Sequence, residues 1–213
     1  MAPPPPPGPR PSRRSLLRGG AVLATGTTAL SVSGDQALGR TATAALPTGE
    51  AGAAEFPGAA WAPAAASTYT AADRPSTYPV RYVVIHVAQE TYADTVGIFQ
   101  DPAREVSAHY VVAADGRIAQ CVRERDIGWH AGNWSYNTLS IGIEHEGWVD
   151  EPRWFTTTMY ERSAALTARI CAAYGIPRTR ARVIGHHEVP DATHTDPGPH
   201  WDWDRYLTLV NAL

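Results

Sequence analysis

The 213-residue chain contains no lysine: all 18 of its basic residues are arginine. An arginine guanidinium stays charged, so the chain has no lysine for a Schiff base, a phosphate-gripping loop or an acid–base role. Several enzyme classes fall away on that ground. Cysteine is almost as scarce, and Cys121 and Cys171 are too few for a disulfide scaffold or a thiolate metal cluster. At most they form one bridge, between a strand cysteine and a helix cysteine whose Cβ atoms would have to lie close. No apolar run is long enough for a transmembrane anchor, and no internal repeat is present. A basic surplus is also missing. The formal net charge is −3, and from residue 45 onward 13 arginines face 20 acids. That acidic body argues against a nucleic-acid partner, whose phosphates need a basic face. At 22.9 kDa and 44% hydrophobic residues, the chain can bury one sizeable core with a short appendage, and a monomer is expected.

What is present divides into three stretches. In residues 1–44 a proline tract precedes Ser12-Arg13-Arg14-Ser15-Leu16-Leu17-Arg18, followed by an uncharged, mildly apolar run and a small-x-small site at Ala42-Thr43-Ala44. This order is that of a secretory signal, and the paired arginines resemble the twin-arginine export motif, with Leu16 and Arg18 at positions that usually carry Phe and Lys. A secreted or cell-wall-associated protein is expected. Residues 45–78, rich in Ala, Pro, Gly, Ser and Thr, read as a linker that partly docks on the domain. Order is expected from residue 79 to 213.

Within that domain, residues 81–87 (RYVVIHV) have the composition of a central strand buried on both faces. Residues 108–114 and 117–123 read as a hairpin turning at Asp115-Gly116. Residues 139–146 alternate, with Leu139, Ile141 and Ile143 on one face and Ser140, Gly142, Glu144 and Glu146 on the other. Residues 158–174 form an amphipathic helix with Met159, Ser163, Leu166, Ile170 and Ala173 inward, a capping box of Thr158 and Glu161, and a stop at Gly175. A short strand at 182–185 and a helix at 203–211 complete a single α/β or α+β domain.

All eight histidines lie between His86 and His200. His86 sits among Val and Ile, where an imidazole without a partner is costly. The stretch from Gly185 to Pro199 is turned by proline and glycine, which lets His186 and Asp196 converge. With His86 they form a set of two imidazoles and one carboxylate, the three-ligand shell of a catalytic zinc that keeps a fourth position open. Without a helical H-E-x-x-H, a zincin protease is disfavoured.

Residues 82–203 resemble the type 2 N-acetylmuramoyl-L-alanine amidases, the family of the phage lysozyme-type amidases and the peptidoglycan recognition proteins. The matching pieces are Ile85-His86, Ser107-Ala108-His109-Tyr110, Asp115-Gly116, Trp129-His130-Ala131-Gly132, Ser140-Ile141-Gly142-Ile143-Glu144 and Thr195-Asp196-Pro197-Gly198-Pro199 with Trp201-Asp202-Trp203. The resemblance implies a mixed sheet flanked by helices, a zinc ion, a muropeptide groove and hydrolysis of the amide between N-acetylmuramic acid and L-alanine in peptidoglycan. His86, His186 and Asp196 match the metal positions, with Asp where the phage and animal branches use Cys. Glu144 matches the catalytic glutamate, Ala108 stands where other branches place a tyrosine, and His194 stands where many relatives have a lysine.

The residue chemistry agrees with these roles. Hydrolysis of an unactivated amide needs a general base, and Glu144 lies on a strand face where Ser140 and Gly142 leave room for water and substrate. His194 is placed to stabilise an oxyanion. Trp129, His130, Asn133 and Trp134 form a loop suited to a sugar face and peptide carbonyls. His109 and His145 are expected to be structural. Two alternatives stay open: a non-catalytic peptidoglycan-recognition module, and a zinc peptidase using the same ligands on stem peptides.

Overall fold

A computed structural model describes residues 54–213. The expected export signal, the start of the linker and the proposed cleavage site lie outside the described residues. Two short strands, β1 (Ala60–Trp61) and β2 (Tyr69–Thr70), precede β3 (Tyr82–Val87), α1 (Tyr92–Gln100), β4 (Tyr110–Val112), β5 (Ile118–Gln120) and β6 (Ile127–Gly128). Then come α2 (Trp134–Leu139), β7 (Ser140–His145), α3 (Thr157–Tyr174), β8 (Val183–Gly185) and α4 (Trp203–Asn211). The main sheet has the order β1-β5-β4-β7-β3-β8. Only β4 and β5 pair antiparallel; β1 with β5, β4 with β7, β7 with β3 and β3 with β8 are parallel. It is a mixed sheet flanked by helices, as expected. A second, two-stranded sheet joins β2 to β6.

The side-chain period of two sorts β3 and β7 into two faces. Val83, Ile85, Val87, Ile141 and Ile143 point to a core shared with Met159, Leu166 and Ile170 of α3 and Tyr206 and Val210 of α4. The other face carries Val84, packed with Ala131, Ile184 and Val189, and, two positions on, His86. A separate cluster packs Tyr92, Val96 and Phe99 of α1 on Val111, Ala113 and Ala119.

Several sequence expectations change here. Residues 54–78 supply β1 and β2, and Arg74 is buried, donating to the carbonyls of Thr138, Ser140 and Glu124 at 3.2, 2.8 and 2.8 Å. The ordered fold therefore begins well before residue 79. Helix α3 is capped by Thr156, whose Oγ1 accepts from the Met159 N–H at 3.0 Å and donates to the Ala114 carbonyl. Thr158 is therefore inside the helix, and the second bond, across to the β4–β5 turn, explains why the first of three successive threonines takes the cap. Ala173 is exposed; Ala164, Thr167 and Cys171 complete the inner stripe instead. The stop stands as expected, with Gly175 at φ +64. Cys121 and Cys171 are both buried, free and in different clusters, so the bridge does not form.

Candidate metal centre and active site

The site is assembled at the carboxyl ends of three parallel strands, where open α/β sheets place their ligands. His86 and Glu144 are next to last in β3 and β7 and are Cα partners, so the register puts both side chains on one face. Because Ile85 pairs with Gly185 at the end of β8, the next residue, His186, emerges at the same end. A Cβ at Gly185 would lie 2.7 Å from the His187 ring and 2.8 Å from Pro197 Cδ, so the close return of the 189–199 loop depends on glycine there. That loop closes where the His187 N–H donates to the Asp196 carbonyl at 3.1 Å.

Asp196 then lies between the two histidines. Its Oδ2 is 3.2 Å from His86 Nδ1 and its Oδ1 is 3.0 Å from His186 Nδ1. One donor atom from each residue lies within 4.8 Å of the others, and all three residues are buried. Burial alone would raise the Asp196 carboxyl; a proton or positive charge on His186 and His86 at these contacts outweighs it and would hold the group well below the usual carboxylate range.

The far side of each ring decides what the near side offers. His186 Nε2 faces the Ala131 carbonyl at 3.2 Å, a pure acceptor, so that nitrogen carries a proton. His86 Nε2 faces His130 Nδ1 at 3.0 Å. His130 Nε2 in turn faces Ser140 Oγ at 3.2 Å, and the Ser140 hydroxyl proton goes to the Tyr136 carbonyl at 2.5 Å. Reading back along that chain, His130 donates to Ser140 and accepts from His86. Both metal-type histidines, when neutral, therefore turn Nδ1 lone pairs toward an ionised carboxylate. Three acceptors so placed require a cation among them, either a ring proton or a metal ion, and the donor set fits a divalent metal.

Glu144 Oε1 is 4.0 Å from His86 Nδ1, with 9% of the side chain exposed. The His194 ring stacks on His186, with centroids 4.9 Å apart and planes at 10°. Five predicted residues, His86, His186, Asp196, Glu144 and His194, are thus brought together. The predicted substrate loop is not one surface. His130 is fully buried behind His86, and its ring fills the space beside Ser140 and Gly142 that was expected to hold water and substrate. Asn133 caps α2 and donates to the Pro190 carbonyl at 3.2 Å. Trp129 is half-buried with its indole N–H on Thr70 Oγ1 at 2.9 Å, and Trp134, 46% exposed, presents an open aromatic face. His109 and His145 are buried and structural, as expected. Asn137 was missed: its Oδ1 accepts from the N–H groups of His130 and Ala131 at 3.1 and 2.7 Å. The inward turn of His130 that Asn137 fixes had one available signal, Gly142, since a mid-strand glycine marks the close approach of another group.

Comparison with known proteins agrees with this geometry. Residues 76–199 match the family model described as N-acetylmuramoyl-L-alanine amidase. The chain is 35% identical over 178 residues to N-acetylmuramoyl-L-alanine amidase A of Achromobacter lyticus, covering 75% of this chain and 97% of that protein. It is 38% identical over 112 residues to the 1,6-anhydro-N-acetylmuramyl-L-alanine amidase AmpD of Haemophilus influenzae, covering 49% of this chain and 59% of that one. A solved selenomethionine derivative of AmpD superposes with a TM-score of 0.60 at 28% identity, over 73% of this chain and 96% of that chain. From the matched residues, the near-complete coverage of the Achromobacter protein and the shared fold, the chain belongs to the N-acetylmuramoyl-L-alanine amidase family.

Proposed function

We propose that the protein is a zinc-dependent hydrolase of the amide between N-acetylmuramic acid and the L-alanine of the stem peptide in bacterial cell-wall peptidoglycan. The observation that carries this reading is the convergence of His86 Nδ1, His186 Nδ1 and the Asp196 carboxylate beside a Glu144 in register with His86. The family and the names of its relatives support the choice of bond. His86, His186 and Asp196 would hold the ion, and zinc, when bound, supplies Lewis acidity and makes water acidic near neutral pH.

The remaining work falls to the chain's own residues. Glu144 accepts a proton from the attacking water and passes it to the leaving nitrogen of alanine as the C–N bond breaks. The products are a free lactyl carboxylate on the sugar and a stem peptide with an N-terminal alanine. His194, held parallel to His186, donates to the carbonyl oxygen as negative charge develops on it. Trp134 offers a flat face to the sugar, and Trp129 borders the same loop. Mass spectrometry of digested peptidoglycan tests the reading, with free stem peptides beginning in alanine as the expected product. Cuts inside the stem would identify a zinc peptidase instead, and binding without product a recognition module.

Export is proposed on residue order alone. With Arg13-Arg14 read by the twin-arginine route, the protein leaves the cell without residues up to about 44. Replacing both arginines by lysine is expected to strand it inside, and unchanged secretion would remove that route. Among the described residues, no helix is long and apolar enough to cross a membrane.

A further inference from the structure

Within the loop expected to bind substrate, His130 and its neighbour Ala131 stand behind the two metal-type histidines. His130 meets His86 Nε2 with its side chain, and the next residue, Ala131, meets His186 Nε2 with its carbonyl. One dipeptide therefore touches the outer nitrogen of both histidines. The dipeptide is itself fixed. Asn137, buried one turn into α2, accepts from both of its backbone N–H groups, and Ser140 Oγ takes the His130 Nε2 proton because its own is committed to Tyr136. Gly142 supplies the room: a Cβ there would lie 2.5 Å from His130 Cγ and 2.7 Å from Nδ1. His130, Asn137, Ser140 and Gly142 thus serve a single geometry.

We propose that His130 and Ala131 form a positioning clamp that, by accepting from Nε2–H, keeps the ring proton of both metal-type histidines on Nε2 and turns their Nδ1 lone pairs into the site. His130 is in this view a positioning residue: it sets which nitrogen of His86 is offered and is too deep to touch substrate. Partners of this kind fix tautomer and ring orientation, and losing one typically costs about 10–100-fold in metal affinity. The proposal rests on the zinc reading for its consequence but not for its geometry.

The test uses the full chain and two readouts. In nitrogen-15 NMR of the wild type, with and without zinc, His86 is expected to carry a proton on Nε2, and His130 to have a bare Nδ1. A proton on His86 Nδ1 with a bare Nε2 would overturn the clamp even if no variant folds. The second readout is zinc affinity by competition with a chelator. His130→Leu fills the volume without an acceptor and is expected to bind zinc about 10–100-fold more weakly, whereas His130→Gln, which keeps an acceptor, recovers most of that loss. Folded His130→Leu with wild-type zinc affinity would overturn the proposal. A wild type that shows the expected protons but binds no zinc would instead sink the zinc reading and leave the clamp standing.

Discussion

His145 and His86 are buried histidines at Cα positions one step apart in the β7–β3 register, and they face opposite sides of the sheet. His145 points to the core. Its Nδ1 donates to the His86 carbonyl at 2.8 Å and its Nε2 accepts from Ser163 Oγ at 2.7 Å, so both nitrogens are used within the fold. His86 uses Nε2 on the fold, through His130, and turns Nδ1 toward Asp196. The same residue type is thus structural on one face and, in the proposed site, ligating on the other, and the partner of the second nitrogen decides which. A strand pair with one face closed within the core and one face that gathers ligand-type side chains can be stable and reactive at once.

The sharpest way to break this comparison is on the reactive face. Glu144→Gln is nearly isosteric but cannot accept the proton, so turnover is expected to fall about a hundredfold or more while zinc and muropeptide binding persist. Steady-state kinetics with metal analysis checks it, and near-normal turnover would transfer the role to His194. The core face should respond in the opposite currency. Leu166→Ala in α3, fully buried in the core shared with β3 and β7, is expected to cost about 2–5 kcal/mol in denaturant unfolding while leaving the folded enzyme's turnover close to normal.

Acid probes the buried neutral rings by a different route. Burial, partly offset by the bond to the His86 carbonyl, pushes His145 down to about 4, and burial with the nearby Arg74 charge holds His109 well below its ordinary value. Both rings fold neutral, whereas the unfolded chain binds their protons below about pH 6.5. Stability is therefore full above pH 6.5 and falls as pH drops toward 4, with His145 alone accounting for on the order of 3 kcal/mol. Denaturant melts across that window, with chelator present throughout, are expected to show the decline, and a flat profile would contradict the buried neutral rings. The smallest effect belongs to the α3 cap: Thr156→Ala should cost about 1 kcal/mol in the same melts, with Thr158→Ala near zero.

The sequence made some of this legible and hid the rest for physical reasons. β3 and β7 could be read because central parallel strands are apolar runs or clean alternations, and α4 because its ends and amphipathic pattern coincide. His86, His186 and Asp196 could be read because two imidazoles and a carboxylate held by strand ends and a proline-turned loop have few other uses. Helix α1 escaped, since Thr95, Val96, Gly97 and Ile98 are poor helix formers and packing on β4 and β5 overrides them. β1 and β2 escaped because two-residue strands leave no period to see. The role of His130 was hidden because residues 129–134 look like a polar aromatic loop, and only the approach to Gly142 shows that the ring turns inward.

The central claim is that the face carrying His86 and Glu144 holds a metal. Metal analysis of the purified full chain tests it most directly, repeated for His186→Ala. About one zinc per wild-type chain, lost in the variant and stripped by chelation together with activity, is the result expected for a three-ligand site. Equal stoichiometric zinc in both proteins would contradict the account.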